Sequence, residues 1–165
     1  MSLPDGEPVA AVRWFPRLAR MLIVQRDPTD TDLAALLDAA FAELVAKYGS
    51  EGRSTVRADA TYLVAVDGRL AVGCGAVQPV EGTTGELKRM YVAPAHRGRG
   101  IARSLLKALE ERAVELGYDR LRLATGVRQP EAIALYESSG YVRTAPYGKY
   151  LDEPLTLCYI KTRLS

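Results

Sequence analysis

Regular patterning begins at residues 21–25, an apolar run of strand length. Asp27-Pro28-Thr29-Asp30-Thr31-Asp32 follows, a cluster of residues that turn a chain and cap a helix. Leu33, Leu36, Leu37, Phe41, Leu44 and Val45 then fall on one helical stripe, and Gly49 marks its end. Residues 50–59 are polar and carry no clear period. Two strand-like runs, 62–66 and 70–77, meet at Asp67-Gly68, a strong hairpin signal, so they are expected to pair antiparallel. Residues 78–83 read as a loop.

Beyond that loop, Glu86-Leu87-Lys88-Arg89-Met90-Tyr91-Val92 alternates as a strand does, and Ile101, Leu105, Leu109 and Leu116 recur at helical spacing up to Gly117. Residues 121–125 form another strand, which makes a strand-helix-strand crossover expected to be parallel and right-handed. Pro130 opens a short helix with Ala132, Leu135, Tyr136 and Ser139 on one face, closed by Gly140. Strands at 141–144 and 155–162 flank a last loop rich in Tyr, Pro and Gly. No repeat, low-complexity tract or interdomain linker interrupts the pattern.

Composition fits one domain: 165 residues, 48% of them hydrophobic, supply enough apolar material for a real core. Residues 1–20 read as an N-terminal extension and residues 21–165 as the domain. The extension is basic and contains Trp14 and Phe15, but it lacks the continuous apolar core of a secretory signal, and nothing approaches a membrane span. Cys74 and Cys158 sit in apolar runs without metal or redox spacing, so buried reduced thiols and a cytoplasmic location are expected. A formal net charge of +2 argues against nucleic acid as the main partner, and the sole histidine, His96, cannot supply a metal cluster.

Chemistry concentrates where the strand at 86–92 hands over to the next helix, at Arg97-Gly98-Arg99-Gly100-Ile101-Ala102. The first turn of a helix leaves backbone N–H groups unpaired and is electropositive, so phosphate fills both deficits. Gly98 and Gly100 let a ligand approach the backbone, and Arg97 and Arg99 add charge able to pair with phosphate oxygens. Lys88, Arg89 and Arg103 lie nearby in sequence, where an ordinary solvated face is the competing reading. No nucleotide P-loop is present, and the third glycine of a dinucleotide fingerprint is missing.

The order of elements and two local motifs together resemble the GNAT superfamily of acetyl-coenzyme-A-dependent N-acetyltransferases. The first motif is Arg97-Gly98-Arg99-Gly100-Ile101-Ala102; the second is Ala132-Ile133-Ala134-Leu135-Tyr136-Glu137-Ser138-Ser139-Gly140-Tyr141, a helix with a Leu-Tyr pair that ends in Gly and an aromatic. The resemblance covers the chain from about residue 21 onward and implies an α/β domain whose mixed, mainly antiparallel sheet is flanked by helices and splayed between its parallel strands. It implies acetyl-CoA as cosubstrate, no metal, and residues 97–102 on the pyrophosphate, with backbone groups of Met90, Tyr91 and Val92 along the pantetheine arm. The N–H of Tyr91 or Val92 would then face the thioester oxygen. Gln129 stands where such proteins often carry Asn, and it keeps an amide for the same contacts.

Acetyl transfer to an amine needs a base for the amine and an acid for the departing thiolate. Glu86 is the candidate base, with a substrate anchor as its other reading; Tyr136 is the candidate acid, with a core aromatic as its other reading. Residues 48–57 and the loop Tyr147-Gly148-Lys149-Tyr150 are expected to line the site of a primary amine carried by a small molecule or peptide, with tyrosines packing on their own sheet as the other reading of that loop. A non-catalytic acyl-CoA sensor remains the alternative, and the resemblance leaves room for a homodimer.

Overall fold

Strand alternation along the chain resolves into one sheet of eight strands in a computed structural model, whose described residues are 13–14, 21–49 and 54–164. In chain order the elements are β1 (Arg13–Trp14), β2 (Met21–Arg26), α1 (Thr31–Tyr48), β3 (Thr61–Asp67), β4 (Leu70–Glu81), β5 (Thr84–Val92), α2 (Ile101–Glu115), β6 (Arg120–Gly126), α3 (Pro130–Ser138), β7 (Val142–Arg143) and β8 (Thr156–Thr162). Across the sheet they run β1-β2-β3-β4-β5-β6-β8-β7. Every neighbouring pair is antiparallel except β5 and β6, which are parallel.

Local chemistry accounts for the boundaries. Asp30 caps α1 by accepting a hydrogen bond from the Leu33 N–H, satisfying one of the orphan donors of the first turn. The β3–β4 hairpin turns at Asp67-Gly68 as the pattern predicts, with Gly68 at φ 64°. Residues 78–83 depart from expectation: β4 continues to Glu81, and only Gly82 and Thr83 turn the chain into β5. Gln78 can stay in the strand, despite its polarity, because its amide donates to Glu86 and accepts from the Arg57 N–H. Of the 1–20 extension, only β1 lies within the described residues, paired antiparallel to β2; the rest lies outside them.

Each sheet face carries its own apolar layer. One face gathers Ile23, Leu63, Val72, Leu87, Leu121 and Leu123 under α2, together with Tyr136 of α3. The opposite face packs Tyr62, Val64, Cys74 and Ala76 against Leu33 and Leu36 of α1. Only these two positions of the α1 stripe are fully buried; Phe41 and Leu44 are half-buried and Val45 is exposed. The second half of the helix leaves that layer and reaches β6, where the Tyr48 hydroxyl accepts from the Arg128 N–H at 2.8 Å. Both cysteines are free and buried, as expected, and burial pushes the Cys74 thiol up to about 12. Among the described residues, no helix is long and apolar enough to cross a membrane.

Candidate active site

The parallel pair opens after three rungs. Thr84, Gly85 and Glu86 of β5 pair with Arg120, Leu121 and Arg122 of β6, and beyond Glu86 and Arg122 the two strands part while β6 stays paired to β8 along its whole length. This is the splay that the resemblance implies, and its closed end is occupied by charged side chains. Glu86 is only 5% exposed. Gln78 Nε2 donates to its carboxylate at 3.1 Å, Lys88 Nζ lies at 3.4 Å and Arg122 Nε at 3.6 Å.

Further out, Lys88 donates to the Ser54 hydroxyl at 3.0 Å and to the Tyr150 hydroxyl at 3.3 Å. The Arg122 guanidinium stacks over the Tyr147 ring at 3.8 Å, an arrangement that suits its flat delocalised charge. Burial, with the Glu86 carboxylate close by, pushes the Tyr147 phenol well above its ordinary range and keeps it protonated. Sequence patterning associates Lys88 with the glycine loop, and the structure places it beside Glu86 instead, because its rung partner is Ala76 on the face that α1 covers. Lys149, expected beside Tyr147, is exposed and lies over the Tyr150 ring at 5.5 Å.

On β5 the ladder is interrupted where the resemblance puts the thioester. Tyr91 pairs with Cys74 and Lys88 with Ala76, so Gly75 alone spans Arg89 and Met90, a bulge in which Arg89 takes φ 59°. A Cβ on Gly75 would come within 2.6 Å of Met90 Sδ and Leu109 Cδ1, so the glycine is what lets the bulge pack against α2. The Arg89 carbonyl is turned to accept from the Cys74 thiol at 3.4 Å. A bulge re-aims backbone groups that a regular ladder would consume.

The glycine loop has the form expected of an anion cradle. Gly98 and Gly100 take φ 78° and 81°, and a Cβ on either would meet nothing within 4 Å. The N–H groups of Ile101, Ala102 and Arg103 begin α2 with no acceptor among the described residues. The residues present therefore fit a phosphate-bearing group.

The arginine side chains are otherwise occupied. Arg97 forms a double hydrogen bond with Glu43 of α1, at 3.0 and 2.7 Å, and its Nε donates to the Val92 carbonyl at 2.9 Å. Those bonds hold the Glu43 carboxyl below the usual carboxylate range. Arg99 pairs with Asp67 at 3.1 Å, and Arg103 donates to Ser138 and Ser139 at the end of α3.

Tyr136 belongs to the other face of the sheet. It lies in the α2-side core, edge-on to Tyr141 at 5.7 Å, and burial raises its phenol, so it holds its proton. Gln129 forms the residue before α3, with Pro130 as the first helical residue. Of residues 48–57, Ser54, Thr55 and Val56 join Leu37, Tyr62 and Arg89 around a cavity of about 380 Å³, while residues 50–53 lie outside the described residues. Sequence reasoning missed Arg122 and Gln78, whereas Tyr150 belongs to the 147–150 loop that it expected to line the acceptor site. Arg122 alone left a trace, as a charge between Leu121 and Leu123 in an otherwise apolar strand. Among the described residues, no group of three or more His, Cys, Asp and Glu is placed to hold a metal ion.

Comparison with known proteins gives the same fold. The model of the Acetyltransferase (GNAT) family matches residues 21–141. A protein of Azospirillum brasilense named IAA acetyltransferase is 42% identical over 106 residues, 64% of this chain and 69% of that protein. Other relatives are matched over 64%, 45% and 50% of their own lengths. A candidate acyl-CoA N-acyltransferase of Klebsiella pneumoniae superposes with a TM-score of 0.77 at 34% identity, covering 88% of this chain and 99% of that one. A GNAT acetyltransferase of Elizabethkingia anophelis, solved with acetyl-CoA bound, shares the fold at a TM-score of 0.65 and 20% identity, over 87% of this chain and 98% of that one. With the family's pattern running from β2 to the end of α3 and its split sheet in place, the chain belongs to the GNAT family of acetyltransferases.

Proposed function

We propose that the protein transfers an acetyl group from acetyl-CoA to an amine by direct attack. The observation that carries this reading is the split itself, with a phosphate-fitting cradle at one end and a buried carboxylate at its closed end. Acetyl-CoA would supply the acetyl group as a thioester. Backbone N–H groups at the start of α2, with Gly98 and Gly100 leaving room, hold its pyrophosphate; Arg97 and Arg99 set the loop in place and add positive potential. Backbone of Met90, Tyr91 and Val92 beyond the bulge lies along the pantetheine arm, and the Gln129 amide serves its other side.

Glu86 takes the proton of the attacking amine, directly or through a water, and Tyr136 delivers a proton to the departing sulfur. Burial keeps the Tyr136 phenol protonated but also makes it a weaker acid, so its donor role rests on its place in the Leu-Tyr motif of α3 rather than on the shift. One observation favours a second reading, an acyl-CoA-binding module without turnover: Glu86 already engages Gln78, Lys88 and Arg122, as a structural carboxylate would.

Thiol release from acetyl-CoA against a panel of amines separates the two. Turnover should be present, with Tyr136→Phe lowering kcat about 10- to 100-fold at near-parent coenzyme affinity and Glu86→Gln lowering kcat by a similar factor. Tight coenzyme binding with no turnover on any amine would favour the module.

A further inference from the structure

We infer that the acceptor amine carries a carboxylate, held by Arg122 and Lys88 at the closed end of the split, with an apolar side chain in the adjoining cavity. This rests on the acetyltransferase reading above and names the class of its acceptor. Charge is the first ground. Lys88 and Arg122 flank Glu86, with side chains 10% and 25% exposed, and among the described residues Glu86 is the only carboxylate that pairs with either. Among the described residues one acid thus faces two cations, Lys88 and Arg122, in a site largely withdrawn from water, and a ligand bringing one negative charge restores the balance.

An unfilled donor is the second ground. Of the three buried polar side-chain atoms without a hydrogen-bond partner among the described residues, Arg122 Nε lies here; the Tyr147 hydroxyl beside it is turned to the Glu86 carboxylate, which helps to raise its phenol. Arg122 Nε has no acceptor among the described residues, and the stack on Tyr147 holds the guanidinium plane in place. Buried donors without acceptors are rare in folded proteins, and a guanidinium fork matches a carboxylate in geometry as well as charge. Glu86 cannot supply the missing contact, since its Oε1 stands 3.6 Å from Arg122 Nε, beyond hydrogen-bond reach.

The cavity sets the rest of the molecule. Ser54 joins it to the charged cluster by accepting from Lys88 at 3.0 Å and from Arg89 at 3.5 Å, while Leu37, Val56 and Tyr62 supply apolar walls. An α-amino acid with an apolar or aromatic side chain meets both parts. A polyamine meets neither, since its further positive charges would lie against Lys88 and Arg122.

Acetyl-CoA turnover on phenylalanine, phenylalaninamide and spermidine tests this. The amide's amine is less basic and more often free to attack, which sets the comparison against the inference. Phenylalanine should still exceed its amide in kcat/KM by about 10- to 100-fold, mostly through KM, as expected of charge-assisted hydrogen bonds. Arg122→Gln should shrink that ratio about tenfold or more, and Arg122→Lys, which keeps the charge but not the fork, should retain part of it. Equal or better use of the amide, or preference for spermidine, overturns the inference.

Calorimetric titration of N-acetylphenylalanine and its amide into the protein with coenzyme A reads the same site without turnover. Tighter binding of the acid with no acetyl transfer would sink the acetyltransferase reading and leave the carboxylate site standing. Acetyl transfer without preference for the acid in either assay would do the reverse.

Discussion

Gly100 holds φ 81° immediately before the first turn of α2, a region that costs an L side chain about 1–2 kcal/mol, in open space where the ligand of the cradle would lie. Gly100→Trp should therefore weaken acetyl-CoA at least ~10-fold by calorimetry, through both the strained turn and the filled cradle. Unchanged affinity would remove the cradle from the coenzyme site. The turn at Gly98 and Gly100 was legible in the sequence because it depends on the strand before and the helix after, which are local. Arg97 was legible only by half. Its place in the loop follows from sequence, but its guanidinium bonds to Glu43, 54 residues away, and no local pattern announces such a partner.

Among the elements, α1 joins both halves of the split. Its first half packs on the β3–β4 layer through Leu33 and Leu36, and its last residue, Tyr48, lies against Gly126 at the end of β6. A Cβ on Gly126 would overlap the Tyr48 hydroxyl, so Gly126→Ala must push the ring away and break its bond to the Arg128 N–H. Such overpacking costs about 1–3 kcal/mol and should fall on the end of α1. Hydrogen exchange should accelerate over residues 44–49, and less so in Tyr48→Phe, which loses the bond but keeps the contact. Equal protection in Gly126→Ala and parent would show that Tyr48 does not anchor the helix. The sequence indicates where α1 begins and ends, since Asp30 and Gly49 are local signals; that half of its stripe leaves the core follows from where the sheet splits beneath it.

For the whole molecule, buried tyrosines make stability depend on alkaline pH. Burial raises the phenols of Tyr136, Tyr141 and Tyr147, with nearby Glu110 adding to the effect at Tyr141 and Glu86 at Tyr147. In the unfolded chain these groups ionise near pH ~10, while the folded protein keeps them protonated. Above about pH 10 the unfolded state therefore binds fewer protons than the native state, and stability falls as pH rises. Urea midpoints should be level from pH ~7 to ~9 and drop beyond ~10, with a smaller drop in Tyr141→Phe. A flat profile to pH ~11 would contradict the burial of these rings.

Taken alone, the sequence determined the order and kind of elements from β2 onward, the hairpin at Asp67-Gly68, the crossover from β5 to β6 and the glycine loop before α2, because each depends on residues within a few turns or strands of one another. It left β1 unread within residues 1–20, and its loop at 78–83 arose because Gln78 looks like a loop residue until Glu86 is placed across the hairpin from it. Only the tertiary structure decided what surrounds Glu86. Gln78, Lys88, Arg122, Tyr147 and Tyr150 come from β4, β5, β6 and the loop before β8, and their meeting depends on the three-rung pairing of parallel strands and on a loop folded back over it. Patterning reports which face a side chain takes, but charge balance at a buried site is a sum over neighbours that only folding brings together.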